Sequence, residues 1–272
     1  MLEVTLLKVK HSGENEAKKL LPYIIRCDVY STEDAGFCAN DLKNVQEWWK
    51  NTLKMSRSAA NVSFNERSTG IREIDEFGNK RYDYLHRNQK PLLAIERWNK
   101  KESDEIKSKV DTYVNTSNES FKFLLIDDLK SYFESYTFYL KQLQESVEAR
   151  DKHIAQNLSK AEEWIRHENP ELSKKQTLNL TIELGSGHLP ENFTHIPINV
   201  INLVNLGTNF LEELTSNISN TYRIEDLTQR DILAYGMGQL AIAGIVSKIT
   251  DHELRFASME ELGKILKLRR RI

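Results

Sequence analysis

Alternation constrains this 272-residue chain more than any other feature. Short β-prone runs recur at 4–9 (VTLLKV), 28–31 (DVYS), 91–95 (PLLAI), 176–184 (QTLNLTIEL) and 196–203 (IPINVINL). Between them lie stretches with apolar residues every three to four positions, at 14–25, 41–54, 100–114 and 128–168. Segment 121–126 (FKFLLI) reads equally as strand or helix. Strands alternating with helical segments predict an α/β fold with a largely parallel central sheet flanked by helices. From 206 onward the pattern reads as three helices. Asp226 or Thr228 is placed to cap the second, and Ser258 with Glu261 three residues later is a capping-box signature for the last.

A chain of this length can bury a sizeable core, and the reading is a single α/β domain over 1–272. Within it, 55–90 is expected as an inserted loop or small subdomain, and 206–272 as a helical C-terminal part. Residues 56–90 lose periodicity and gather charges, with Gly70 and Gly78-Asn79, and FGNKRYDYL is expected to close a hairpin. Trp48 and Trp49 belong to the apolar stripe of 41–54 and read as core and rim. The most apolar stretch, ILAYGMGQLAIAGIV at 232–246, is short of the roughly twenty residues a membrane span needs and carries Gln239. It reads as a buried helix in which Gly236, Gly238 and Gly244 permit close packing.

The net charge of −2 excludes an overall electrostatic attraction to nucleic acid or acidic lipid. No membrane association and no secretory leader are expected. Two cysteines, Cys27 and Cys38, match neither zinc spacing nor a disulfide framework, which suits reduced thiols and a cytoplasmic location. Nothing in the sequence signals the oligomeric state.

In parallel α/β sheets, ligand sites collect where the strands end and the loops begin. Three residues stand at such ends: His11, Glu33 and His188. The last follows LTIELGSGHLP (180–190), where Gly185 and Gly187 let backbone and ligand approach closely. A histidine held there can ligate a metal or act as a base near neutral pH. Glu33 is able to orient an imidazole, bind metal or activate water, or simply to serve as a first-turn helix acid. Arg150, in ARDKHIAQNL, sits one turn before the core positions Ile154 and Leu158. There it either fixes an anion at a cleft or pairs with neighbouring acids such as Glu145 and Glu148.

In this order the four pieces resemble the superfamily of erythromycin esterases, Tiki-type metalloproteases, TraB-type proteins and ChaN-type haem-binding lipoproteins. That pattern has a first GxxH at a strand end, a strand ending in an acid, an R[DN]xxMA helix and a second GxxH. Here VTLLKVKH ends in His11, CDVYSTED carries Glu33, ARDKHIAQNL carries Arg150, and IELGSGHLP carries Gly185 and His188. Two positions depart from it: Lys8 replaces the first motif's glycine, and Ile154 stands at the methionine position. Lys8 either closes the backbone approach or supplies a cation in place of metal charge. The resemblance implies His11 and His188 as paired site histidines, Glu33 as the carboxylate that activates water or binds metal, and Arg150 as the orienting or anion-stabilising group. It implies a divalent ion (Mn, Co or Zn) in its metal-dependent members and His/Glu acid–base chemistry in its esterase members. The metal ligands would be His11, Glu33 and His188, with Gly185 and Gly187 as cofactor-binding positions.

Three functions follow as expectations. One is a hydrolase of an ester or amide bond in a small molecule or peptide. Another is a non-catalytic binding protein for an anionic small molecule or haem. The third is a partner-interaction module on the same scaffold.

Overall fold

A computed structural model describes residues 1–9, 13–32, 42–65, 72–96, 100–185, 188, 193, 197–203, 227–242 and 249–269. Five strands form one sheet: β1 (Leu2–Val9), β2 (Val29–Thr32), β3 (Leu92–Leu93), β4 (Leu178–Gly185) and β5 (Ile198–Asn202). Their order is β3-β2-β4-β1-β5, and every neighbouring pair is parallel. The fold is therefore α/β, as the alternation predicts. β2 is buried throughout and β1 and β4 along most of their length, the signature of a parallel sheet covered on both faces. β5, on the edge, is largely uncovered.

Helices α1 (Gly13–Lys18), α2 (Leu21–Arg26), α3 (Leu42–Thr52), α4 (Arg57–Asn65) and α5 (Arg72–Arg87) join the first three strands. Then come α6 (Lys100–Leu125) and the 40-residue α7 (Leu129–Glu168), followed after β5 by α8 (Gln229–Ile242), α9 (Asp251–Phe256) and α10 (Met259–Arg269). Parallel register puts partner side chains on the same face of the sheet. One face presents Leu7, Val9, Tyr30 and Leu92 to Ala17, Ile24, Trp49, Phe64, Phe77 and Leu85. The other presents Leu6, Val29, Leu93, Leu180 and Ile182 to Ile154, Leu158, Ala161 and Ile165 of α7, whose spacing makes one helical stripe.

The region expected as an inserted loop or small subdomain contains two helices, and the hairpin expected at FGNKRYDYL does not form. Residues 57–65 and 72–87 form α4 and α5, and FGNKRYDYL lies inside α5. Phe77, Arg81, Tyr84 and Leu85 fall on its buried side, three to four residues apart. Gly78, taken for a turn residue, faces open space and is tolerated in the helix. Trp49 is buried as expected, in an aromatic cluster with Phe64 and Tyr82, while Trp48 donates its indole N–H to Ser63 at 2.7 Å. Segment 14–25 splits into α1 and α2, with Pro22 in the first turn of the second. The ambiguous 121–126 continues α6 as far as Leu125.

The chain divides into two compact units, 1–104 with 148–204, and 105–147 with 205–272. The first holds the sheet. The second draws on 105–147 as well as the expected helical C-terminal part. Its core brings Leu124, Tyr132, Tyr136 and Leu140 against Leu233, Met237, Leu240, Leu262 and Leu266. Capping boxes at Thr250/Glu253 and Ser258/Glu261 start α9 and α10, and Thr228 exchanges bonds with Asp231 at the start of α8. Asp226 and Gly244 lie outside the described residues. Among the described residues no helix is long and apolar enough to cross a membrane.

The expected close packing of α8 falls at Gly236. A methyl there would overlap Tyr132 Oη, whose hydroxyl donates to Ile232 O at 2.8 Å. Gly263 of α10 meets nothing within 4 Å. Gly236→Ala should therefore lower unfolding stability by about 1–3 kcal/mol. Gly263→Ala should raise it by about 0.5–1 kcal/mol, both read by urea denaturation.

Candidate functional site

The strand order decides where a site can form. After β1 the chain crosses to β2 and β3 on one side, and after β4 it passes to β5 on the other, so the order reverses between β4 and β1. Such a switch point opens a crevice outside the C-terminal strand ends. Val9 pairs with Gly185 and Thr32 with Glu183. The exits of β1, β4 and β2, which lead toward His11, His188 and Glu33, are therefore neighbours. His11, Glu33 and Gly187 themselves lie outside the described residues.

Helix α7 furnishes the next layer. It runs through a short turn at Pro170–Leu172 into the start of β4. Its last residues accordingly lie at the N-terminal strand edge, and Arg150 and Asp151 lie toward the C-terminal edge. Asn157 Nδ2 donates to Ile95 O at 2.8 Å and fastens the exit of β3 to the helix.

His188 is 3% exposed, and its Nδ1 lies 2.5 Å from Asp151 Oδ1. An ionised carboxylate only accepts, so the Nδ1 proton points at Asp151 and the basic lone pair is on Nε2. The backbone N–H of His188 donates to Gly185 O at 3.2 Å, closing a tight turn directly off the strand. Gly185 is the final residue of β4, in register with Val9, so it keeps strand geometry. Beside this pair, Arg150 grips Glu96 with a fork: Nη2 to Oε1 at 2.7 Å and Nε to Oε2 at 3.2 Å. Both side chains are buried.

A second charged group lies on the opposite sheet face. Glu183, wholly buried in β4, accepts from Arg81 Nη1 at 2.7 Å and from Tyr30 Oη at 2.8 Å. Burial and the adjacent Glu183 charge push the Tyr30 hydroxyl well above its ordinary range, so it stays a neutral donor. The Arg81 guanidinium also stacks over the Tyr82 ring, 4.6 Å from its centroid. At the end of β2 the hydroxyls of Thr32, on the Glu183 face, and of Ser31, on the α7 face, are buried without a hydrogen-bond partner among the described residues. These two residues precede Glu33.

Of the expected site residues, Arg150 and His188 come together at one strand edge. Arg150 pairs with Glu96 rather than with Glu145 or Glu148. Lys8 is buried in β1 opposite Leu184, whose side chain belongs to the α7 face, so its cation is on the same face as Arg150 and Asp151. The sequence reading passed over Asp151, Glu96, Glu183, Tyr30 and Arg81. Three of these carried a signal: Asp151 adjoins Arg150, Glu96 follows PLLAI directly, and Glu183 interrupts an apolar strand. Among the described residues, no group of three or more His, Cys, Asp or Glu side chains is arranged to hold a metal ion. Burial pushes the Cys27 thiol up to about 11, which keeps it protonated, and Cys38 lies outside the described residues.

No family model, curated protein or solved structure matches the chain.

Removing one member of a buried ion pair strands the other without water, at a cost of about 3–5 kcal/mol. Glu96→Gln and Arg150→Met should each destabilise the fold by about 3 kcal/mol, and the double variant by clearly less than the sum. Additive losses in a double-mutant cycle would show that the pair does not act as a unit.

Proposed function

We propose that the chain is a hydrolase of ester or amide bonds, built like the superfamily its motifs resemble, with His188 as the working base. The observation that carries this reading is the His188–Asp151 pair at the switch-point edge of the sheet. With Nδ1 committed to Asp151, Nε2 takes a proton from water as the water oxygen bonds to the acyl carbon. The Asp151 carboxylate stabilises the imidazolium so formed. That imidazolium then returns the proton to the leaving oxygen or nitrogen as its bond to the acyl carbon breaks, giving an acid and an alcohol or amine. Lys8 and Arg150 contribute positive charge where the tetrahedral oxyanion develops. Arg150 does so while holding Glu96 in place.

His11 and Glu33 follow the strands on either side of β4, so both fit as partners of His188 in the same crevice. A carboxylate on Nδ1 is also the usual support of a histidine that ligates metal through Nε2. His188 with His11 and Glu33 would thus hold a Mn, Co or Zn ion. Bound there, such an ion would acidify a water molecule. Substrates in this reading are small-molecule esters or peptides.

The test is turnover of p-nitrophenyl esters and of short peptides by wild type, His188→Ala and Asp151→Asn, with elemental analysis and visible absorbance of the same samples. Asp151→Asn is expected to lose about 10²–10⁴-fold in kcat, with KM little changed and the fold intact. Unchanged kcat in both variants would refute the assignment. A Soret band with no turnover would favour the haem-binding alternative.

A further inference from the structure

Helix α10 carries two apolar stripes. Leu262 and Leu266 are wholly buried in the core of the second unit. Ile265 and Leu268 turn instead toward an open groove of about 390 Å³ between α10 and α9, bordered on the α9 side by Phe256 and Ala257. Leu268 is 84% exposed and Phe256 68%, and the His252 ring, one turn before Phe256, lies 5.0 Å from it. A helix that shows hydrocarbon on a second side is built to pack against a second neighbour.

The charges on α10 say which neighbour. Its first turn holds Glu260 and Glu261, and Lys264 and Lys267 follow, all four exposed. Helical periodicity sets Glu260, Lys264 and Lys267 on one flank of the Ile265–Leu268 stripe. Lys264 Nζ lies 2.6 Å from Glu260 and Lys267 Nζ 2.8 Å from Asp127, at exposed positions where an ammonium has further protons to donate. A helix negative at its start and positive toward its end is complementary to a copy of itself laid antiparallel. With a two-fold axis midway between Glu260 and Lys267, Glu260 of each copy faces Lys267 of the other, so one pair is made twice. The same axis brings Leu268 of each copy to the start of the other α10, beside Phe256.

We propose that this chain pairs with a second copy through α9 and α10, antiparallel and two-fold symmetric. Leu268 of each copy enters the groove of the other, and the Glu260–Lys267 pairs close one flank. The 11 residues of α10 extend only about 16 Å, too short for an interface of standard size. The dimer is accordingly weak, with a dissociation constant on the order of 10–100 µM. It does not depend on the proposed hydrolysis.

The experiment follows the full chain by sedimentation velocity from about 5 to 500 µM, where wild type is expected to pass from monomer to dimer. Leu268→Glu puts a carboxylate into the groove and should weaken pairing roughly tenfold or more. Glu260→Lys and Lys267→Glu each set like charges together twice, and each should weaken it by about tenfold. An equimolar mixture of these two single variants regains both opposite-charge pairs and should dimerise about as well as wild type. All three side chains are exposed, so the variants keep the fold, which circular dichroism checks. His188→Ala should dimerise like wild type. A monomer at every concentration would overturn the inference, including one that instead sediments with phosphatidylserine vesicles and so marks a lipid contact. Self-association indifferent to these variants, or not regained in the mixture, would overturn it as well.

Discussion

A charge moved out of water must bring its counter-charge along, and this constraint shapes the sheet-bearing unit. An ion buried alone costs far more than the few kcal/mol that separate a folded chain from an unfolded one. The C-terminal ends of the strands nevertheless bury Glu96, Glu183, Arg81, Arg150, Asp151 and His188. Glu96 is matched to Arg150 and Glu183 to Arg81 and Tyr30, while the Asp151 carboxylate is hydrogen-bonded by the His188 ring. Apolar residues of similar volume would serve stability as well or better. The matched charges are concentrated at one edge, while the rest of both sheet faces is mostly hydrocarbon, with Thr181 a buried polar exception in the middle of β4.

Topology makes the concentration local. β4 lies between β2 and β1, so three chain exits that are far apart in sequence open side by side. Helix α7 then lays Arg150 and Asp151 across them from above, and Asn157 ties it to the end of β3. Asp151 of the 40-residue α7 and the turn leaving β4 thus hold the imidazole.

How much of this could be read beforehand depended on whether a residue broke a pattern. The strands were legible because buried parallel strands leave unmistakable apolar runs, and both ends of β4 were placed within two residues. Helix α5 was not: Gly78 looked like a turn, and its buried side mixes Phe77 and Leu85 with Arg81, so no clean apolar stripe appears. His188 was legible from its place after a strand, and Arg150 from its place one turn before core residues. Asp151 was hidden by its setting, one more acid in a heavily charged helix, since only the position of α7 on the sheet turns it inward. Glu183 was available as a carboxylate within an apolar strand, but its partner Arg81 lay 102 residues away, in a stretch expected as a hairpin rather than a helix.

The central claim is that Asp151 fixes the tautomer of His188 and so makes Nε2 the working nitrogen. Nitrogen-15 NMR of the imidazole tests this most directly, with the His188 signals identified by comparison with His188→Ala. The account predicts a ring protonated at Nδ1 in wild type, with a far-downfield proton in the hydrogen bond to Asp151 that disappears in Asp151→Asn. A ring protonated at Nε2, or spectra indifferent to Asp151→Asn, would contradict it.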